Sequence, residues 1–278
     1  MPAKHSIAEP ILELHDLSVE FGLQPVLRGI NLTIPRGQTL AVIGESGCGK
    51  TVLLKTIIAL VRPSEGYVVF DGQRMDELGD KAITRQRTRF GYVFQNAALF
   101  DSMTVEENIA FPLRENRGFS LDQARPQVIE RLGEVGLGTS VLPKKPAQLS
   151  GGMRKRVGHA RAVIMEPEVL LYDEPTTGLD PIMSDVINEL IVGTRDQHHV
   201  TSLVVTHDMK TCQKVADRIV MLYPLARLDD HEEQIIFDGT PAEILKTNDK
   251  RVSQFVRGEA GERLMEMREQ VESRESRV

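Results

Sequence analysis

The 278-residue sequence has no tryptophan, only 5% aromatic residues and only two cysteines. Cys48 and Cys212 can form neither a disulfide framework nor a four-ligand zinc set, which favours a reducing compartment, the cytosol by default. Long apolar runs are also missing. The most apolar stretch, residues 52–61, is interrupted by Lys55 and is far shorter than the ~20 apolar residues that span a bilayer. We therefore expect a chain that crosses no membrane unaided.

Negative charge exceeds positive charge. Lys and Arg total 34 against 40 for Asp and Glu, so the net charge is −6, which argues against nucleic acid as a partner and leaves only a local basic patch as an alternative. Residues 1–9 include Lys4, His5 and Glu9 but no apolar core, so no secretory signal is predicted. With 41% hydrophobic and 27% charged residues, the composition predicts a globular protein with a sizeable core and about two domains.

Short apolar runs alternate with helical patterns along most of the chain. The run at residues 39–43 predicts a buried strand, and a helix is predicted directly after it over 51–60. Further strands are predicted at 11–21, 66–72, 90–94, 168–172, 201–205 and 218–222. Residues 104–164 are helical in character, and capping boxes at 120–123 and 240–243 predict helix starts. The pattern predicts an α/β fold with a mostly parallel sheet, with 66–72 and 90–94 in the first half of one sheet.

A glycine-rich segment follows the predicted strand at 39–43. Residues 44–51 match G-x-x-x-x-G-K-[ST] between a strand and a helix, the context that a phosphate-binding loop requires. Its backbone N–H groups and the helix dipole would hold phosphate, Lys50 would reach the β- and γ-phosphates, and the Thr51 hydroxyl would bind Mg²⁺. A glycine-rich turn that binds nothing is the alternative. The predicted nucleotide-binding residues here are Gly44, Glu45, Ser46, Gly47, Cys48, Gly49, Lys50, Thr51 and Val52.

Cys48 lies within this loop, beside Lys50 and a helix N-terminus, conditions that lower a thiol pKa. A redox switch is one interpretation. A small residue that fits the loop is the other.

A second apolar strand, at 169–173, ends in two adjacent carboxylates, Asp173 and Glu174. Beside a phosphate loop, the first would support Mg²⁺ and the second would accept a proton from the attacking water. The pair therefore completes a predicted site for ATP hydrolysis.

Residues 149–153, Leu-Ser-Gly-Gly-Met, stand before this strand and open a basic helix. Here the chain resembles the ATP-binding-cassette (ABC) ATPases, whose signature is L-S-G-G-Q, and it departs from that signature only at Met153. Gln95 matches the family's Q-loop, residues 177–180 its D-loop and His207 its switch histidine. Phe21 stands where an aromatic residue usually stacks on adenine, although tyrosine is commoner there. The resemblance covers roughly residues 10–245.

The resemblance implies residue roles. The catalytic residues would be Glu174, His207 and Gln95, and the Mg²⁺ ligands Thr51, Gln95 and Asp173. Phe21 would join the nucleotide-binding set. Ser150, Gly151 and Gly152 would contact the ATP bound by a second copy of the chain, with Asp180 in the D-loop. Two ATP molecules would then lie between two copies, and hydrolysis would let the pair reopen.

The resemblance also implies the architecture: a P-loop NTPase fold of ABC-ATPase type, with a mostly parallel core sheet, an antiparallel β subdomain and an inserted helical subdomain. Residues 1–95 and 165–245 would form the nucleotide-binding core with the β subdomain. Residues 96–164 would form the helical signature subdomain, and 246–278 a C-terminal helical extension.

At the level of subfamily, residues 49–55, 94–100 and 149–156 look like those of Mla-type ATPases. Such proteins would work on the cytoplasmic inner face of the cell membrane with a permease dimer, an MCE-domain (mammalian-cell-entry) protein and a small regulatory subunit to move phospholipids. Residues 96–115 would face the permease, although their apolar side chains could equally pack within the subdomain. Transport of another cargo, such as an amino acid, is the nearest alternative. A non-transport ABC ATPase acting on DNA or the ribosome is disfavoured by the single cassette, the two cysteines and the negative charge.

Two C-terminal segments leave alternatives open. Residues 222–235 cluster acidic side chains around His231, which indicates either a metal site or a solvated loop. Residues 257–278 alternate glutamates and arginines around a narrow apolar stripe, which predicts a helix that either docks on a partner or frays in solvent.

Overall fold

The computed structural model describes residues 9–229 and 231–260. Its central feature is a six-stranded sheet in the order β10-β9-β3-β8-β7-β6, in which only β10 runs antiparallel to its neighbour. The strands of this sheet are β3 (Thr39–Ile43), β6 (Phe90–Val93), β7 (Val169–Asp173), β8 (Thr201–Val205), β9 (Arg218–Leu222) and β10 (Ile235–Gly239). The α/β fold class predicted from the sequence is confirmed.

The second sheet is antiparallel and has the order β2-β1-β4-β5. Its strands are β1 (Pro10–Phe21), β2 (Gln24–Pro35), β4 (Glu65–Phe70) and β5 (Gln73–Arg74). Strand β1 alternates between buried and more exposed positions, because one face of an antiparallel sheet covers the core while the other meets solvent. The prediction that 66–72 and 90–94 share one sheet is therefore wrong: β4 pairs with β1, whereas β6 pairs with β7.

The central strands of the parallel sheet position the polar residues that follow them. β3, β7 and β8 are buried at every position, as expected for parallel strands covered on both faces. Their carboxyl ends meet at one edge of the sheet, the usual place for a ligand in such folds. The glycine-rich loop, Glu174 and His207 follow these three ends directly.

Helices cover the sheet and form a separate cluster. They are α1 (Lys50–Ile57), α2 (Asp80–Arg87), α3 (Val105–Arg117), α4 (Leu121–Glu134), α5 (Gly151–Val163), α6 (Pro181–His198), α7 (Met209–Val215), α8 (Pro241–Ile244) and α9 (Lys250–Arg257). Helices α3, α4 and α5 share a hydrophobic cluster of their own. The predicted capping boxes open α4 at Ser120 and α8 at Thr240. None of the helices in the described ranges is long and apolar enough to cross a membrane.

The sequence patterns missed several elements, among them β2 and α2. Strand β2 pairs with β1 through several register shifts and contains Gly29 in the left-handed region, which disrupts the period-two pattern. Helix α2 buries no residue, so it has no apolar stripe to detect. Most of the tail predicted as a helix, residues 261–278, lies outside the described residues.

Candidate functional site

The glycine-rich loop is held tightly between its neighbours. A Cβ at Gly44, which has φ +146°, would lie 2.3 Å from the Leu222 carbonyl oxygen. One at Gly49, with φ +98°, would lie 2.9 Å from the Val26 carbonyl oxygen. These positions require glycine because backbone approaches from both sides. The Nζ of Lys50 donates to the carbonyl oxygens of Gly44 and Glu45 at 2.8 and 2.9 Å. The backbone of the loop therefore surrounds the Lys50 ammonium group.

The carboxylate of Asp173, the last residue of β7, has two hydroxyl partners. Thr51 Oγ1 donates to Asp173 Oδ1 at 2.9 Å, and the Tyr92 hydroxyl donates to Oδ2 at 3.1 Å. Asp173 is 7% exposed. Burial, with a further contribution from Asp173, raises the pKa of Tyr92, so its hydroxyl remains a donor at neutral pH. Tyr92 was not predicted, because nothing in its local sequence marks its position beside β7.

The second carboxylate faces the histidine after β8. Glu174 Oε2 lies 2.8 Å from His207 Nδ1 and accepts from Thr177 Oγ1 at 3.1 Å. The Glu174 backbone has φ 49°, and its N–H donates to the Val205 carbonyl at 2.9 Å. A left-handed glutamate costs about 1–3 kcal/mol and persists only where its surroundings fix it. The two side chains predicted to act on the γ-phosphate and water are therefore in direct contact.

The phosphate loop, Glu174 and His207 line one cleft of about 330 Å³, whereas Asp173 and Tyr92 lie outside its lining. Its lining residues are Val26, Ser46, Gly47, Gly49, Lys50, Thr51, Val52, Gln95, Glu174 and His207. Residues far apart in the sequence thus converge at the predicted sheet edge. Val26 is the one lining residue that the motifs did not include, because β2 itself was not predicted.

Several predicted site residues lie outside this lining. Phe21 ends β1 and is 53% exposed. Asp180 caps α6 by accepting from the N–H groups of Ile182 and Met183 at 3.0 and 2.9 Å.

The signature residues also lie outside the cleft of their own chain. Ser150 caps α5 and accepts from the Met153 N–H at 3.2 Å. Ser150 and Gly151 are exposed, whereas Gly152 is buried against Met183. The turn therefore leaves an exposed helix N-terminus outside the lining of this cleft.

Cys48 is 1% exposed. Its pKa is raised by burial, which outweighs the lowering effect of Lys50. A thiol that is both buried and protonated reacts slowly. Of the two interpretations of Cys48, the structure favours the small residue that fits the loop.

The acidic segment between β9 and β10 is tied to the body of the protein. Arg28 donates to the carbonyl oxygens of Asp229 and Glu232 at 2.8 and 2.9 Å. No group of three or more His, Cys, Asp or Glu side chains that could hold a metal occurs in the described part of the chain. Asp230, part of the predicted cluster, lies outside it.

A second cavity, the apolar groove, measures about 540 Å³ and lies between α2, β6, α3 and α5. Its apolar lining includes Phe94, Phe100, Phe111, Pro112, Ala162 and Met165. Phe94 and Phe100 are 39% and 41% exposed. By contrast, Val105 and Ile109 are fully buried, so the apolar residues of 96–115 divide between core and surface.

Comparison with known proteins gives concordant matches. The sequence model of the family described as ABC transporter matches residues 27–177. The intermembrane phospholipid transport system ATP-binding protein MlaF of Haemophilus influenzae is 36% identical over 90% of this chain and 91% of its own length. The probable ribonucleotide transport ATP-binding protein Mkl of Mycobacterium tuberculosis is 39% identical over 89% of this chain, which spans 66% of Mkl.

The fold of this chain also matches a solved structure over almost the whole length of that structure. That structure is a dimeric ATP-binding cassette in a post-hydrolysis state bound to ADP and Pi. The TM-score is 0.72 and the identity 31%, over 83% of this chain and 98% of that one.

Proposed function

Because the chain belongs to the ABC transporter family, we propose that it binds and hydrolyses ATP to power phospholipid transport through a separate membrane permease. The observation that carries the proposal is the single cleft shared by the phosphate loop, Glu174 and His207. The named function of the MlaF relative supports the cargo.

In the proposed ATP complex, the N–H groups of residues 44–51 and the ammonium of Lys50 bind the phosphates. Thr51, Asp173 and Gln95 would hold Mg²⁺. Their hydroxyl, carboxylate and amide oxygens are the hard donors that this ion prefers. The ion would neutralise charge on the β- and γ-phosphates.

Glu174 accepts the proton of the attacking water in this proposal. His207 holds the carboxylate in place through its Nδ1 contact of 2.8 Å. With 62% of its side chain exposed, His207 is also free to turn toward a γ-phosphate. Gln95, which lines the same cleft, would orient the water.

A second copy of the chain completes the site in this proposal. Ser150, Gly151 and Gly152 open α5 outside their own cleft, and a helix N-terminus of this kind binds anions. We assign this turn, together with the D-loop residue Asp180, to the γ-phosphate held by the partner copy. The dimeric cassette with bound ADP and Pi supports this arrangement.

The apolar groove is the proposed contact with the permease, which would place the chain on the inner face of the cell membrane. Exposed phenylalanines such as Phe94 and Phe100 suit an apolar helix of a partner. An MCE-domain protein and a small regulatory subunit belong to the same proposed complex. No nucleic-acid partner is proposed, since the net charge of −6 disfavours one.

Another cargo is the second candidate, and the name of the Mkl relative, ribonucleotide transport, favours it. The test is to purify the chain from detergent-solubilised native membranes and to identify co-purifying proteins and lipids by mass spectrometry. A permease, an MCE-domain protein and phospholipid together would support the proposal. A different permease without lipid would reject the cargo, and ribosomes or DNA would reject transport altogether.

A further inference from the structure

The described residues of the connection between β9 and β10, 223–229 and 231–234, pack against the phosphate loop. The connection ends at Gln234, which is 1% exposed. The Gln234 carbonyl accepts from the Tyr223 N–H at 2.9 Å, so the two ends of the connection are tied together. A glutamine this deeply buried is uncommon and calls for a complete set of hydrogen bonds.

The side-chain amide of Gln234 has such a set. Its Nε2 donates to the carbonyl oxygens of Val26 and Cys48, both at 3.1 Å. Its Oε1 accepts from the Arg28 N–H at 2.9 Å. The orientation of the amide is fixed by chemistry, because the two carbonyls can only accept and the backbone N–H can only donate.

The two carbonyls belong to the two walls of the cleft. Cys48 lies inside the phosphate loop, and Val26 lines the cleft from β2. The walls already touch, since a Cβ at Gly49 would lie 2.9 Å from the Val26 carbonyl oxygen. One buried amide therefore connects the phosphate loop, whose backbone would hold the phosphates, with β2 at Val26, which lines the same cleft.

A second contact reaches the same loop from this connection. The Arg227 guanidinium forms an ion pair with the Glu45 carboxylate in the phosphate loop. The connection is anchored in turn by Arg251 of α9, which binds Glu232 at 3.1 Å. The loop is thus supported from a segment that contributes nothing to the cleft lining itself.

We propose that Gln234 is a positioning residue for nucleotide binding: its amide holds the phosphate loop at Cys48 in register with β2 at Val26. The inference rests on the proposed ATP-binding function. It predicts that losing the amide weakens ATP binding because the loop no longer keeps the conformation that matches the phosphates.

The test compares Gln234→Ala and Gln234→Glu with the unmodified chain. Gln234→Glu removes both donors and turns a carboxylate toward two carbonyl oxygens. The matched control is Gln197→Glu, the same change at an exposed glutamine of α6. The first readout is the Kd for N-methylanthraniloyl-ATP with Mg²⁺, measured by fluorescence well below each melting temperature.

The second readout is the rate at which N-ethylmaleimide labels each cysteine, followed by mass spectrometry. Cys48 and Cys212 are both buried, but only Cys48 bonds to Gln234. We expect both Gln234 variants to raise the Kd about tenfold. Cys48 labelling should accelerate while Cys212 labelling stays unchanged, and the control should match the unmodified chain in both readouts.

Two results would overturn the inference. One is a Kd and a Cys48 labelling rate that both remain at the level of the control. The other is equal acceleration at Cys48 and Cys212, which would show general loosening of the fold. If the unmodified chain itself fails to bind the nucleotide, the proposed function fails first, and that result is distinct from either.

Discussion

Replacing Glu174 by glutamine removes the proposed base and leaves its surroundings in place. The carboxylate is 14% exposed at the side chain, with His207 Nδ1 at 2.8 Å and Thr177 Oγ1 at 3.1 Å. An amide of the same size keeps an oxygen that accepts from Thr177 but cannot take a proton from water. General-base catalysis contributes about 10²–10⁴-fold. We therefore expect kcat to fall by that factor, about 3–5 kcal/mol in activation free energy.

Binding should survive this change, because the phosphate contacts belong to the loop and to Lys50. We expect the Kd for ATP to stay within about threefold of the original, less than the effect of one ordinary hydrogen bond. Since the bound nucleotide then persists, the variant should also elute as an ATP-dependent dimer in size-exclusion chromatography. Phosphate release, nucleotide fluorescence and elution volume measure the three quantities.

The matched control is Glu130→Gln, at an exposed glutamate of α4, which should change none of them. Near-normal turnover in Glu174→Gln would refute the assignment of Glu174 as the base. A loss of turnover fully explained by weaker ATP binding would assign Glu174 to binding instead.

Three further predictions concern stability and the loop. Burial, with His198 as a smaller cause, lowers the pKa of His159 to about 4. Only the unfolded chain therefore takes up this proton as the pH falls from 6.5, and stability should drop by about 3 kcal/mol by pH 4. Urea unfolding should show a flatter pH profile in His159→Gln. Gly44→Ala should abolish ATP binding in the fluorescence titration, because its Cβ meets a carbonyl at 2.3 Å. A Cβ at Gly47 would meet nothing within 4 Å. Gly47→Ala should therefore lower the free energy of unfolding by only about 1 kcal/mol, the strain of a left-handed alanine. Arg131 is 5% exposed, but its partners Glu134 and Glu166 are 28% and 69% exposed at the side chain. Arg131→Met therefore leaves no buried charge behind and should lower the unfolding free energy by only about 1 kcal/mol. An unchanged denaturation midpoint would contradict that role.

The residues of the candidate site could be predicted from the sequence because each motif is local. The glycine spacing of 44–51, the carboxylates after β7 and the histidine after β8 each need only a few adjacent residues. Their convergence also followed, since parallel strands bring their carboxyl ends to one edge. The structure then added the contacts between motifs, such as Glu174 with His207.

What the sequence could not predict depends on tertiary packing. Val26, Tyr92 and Gln234 carry no local signal, because their roles arise from pairing across strands or from a distant connection. Strand β2 was missed for the same reason: its bulges fit β1 but disrupt its own periodicity. The sheet assignment of residues 66–72 failed because strand pattern does not specify which strand is the partner.

The central claim is that two copies enclose ATP between the phosphate loop of one and the signature turn of the other. The most direct measurement is a cross-link between Ser46→Cys and Ser150→Cys, both exposed positions, in the Glu174→Gln background. The two native thiols are buried and should not form cross-links. We predict a covalent dimer that forms with ATP and Mg²⁺ and not without nucleotide. The absence of a cross-link under both conditions, or equal cross-linking with and without ATP, would contradict the account.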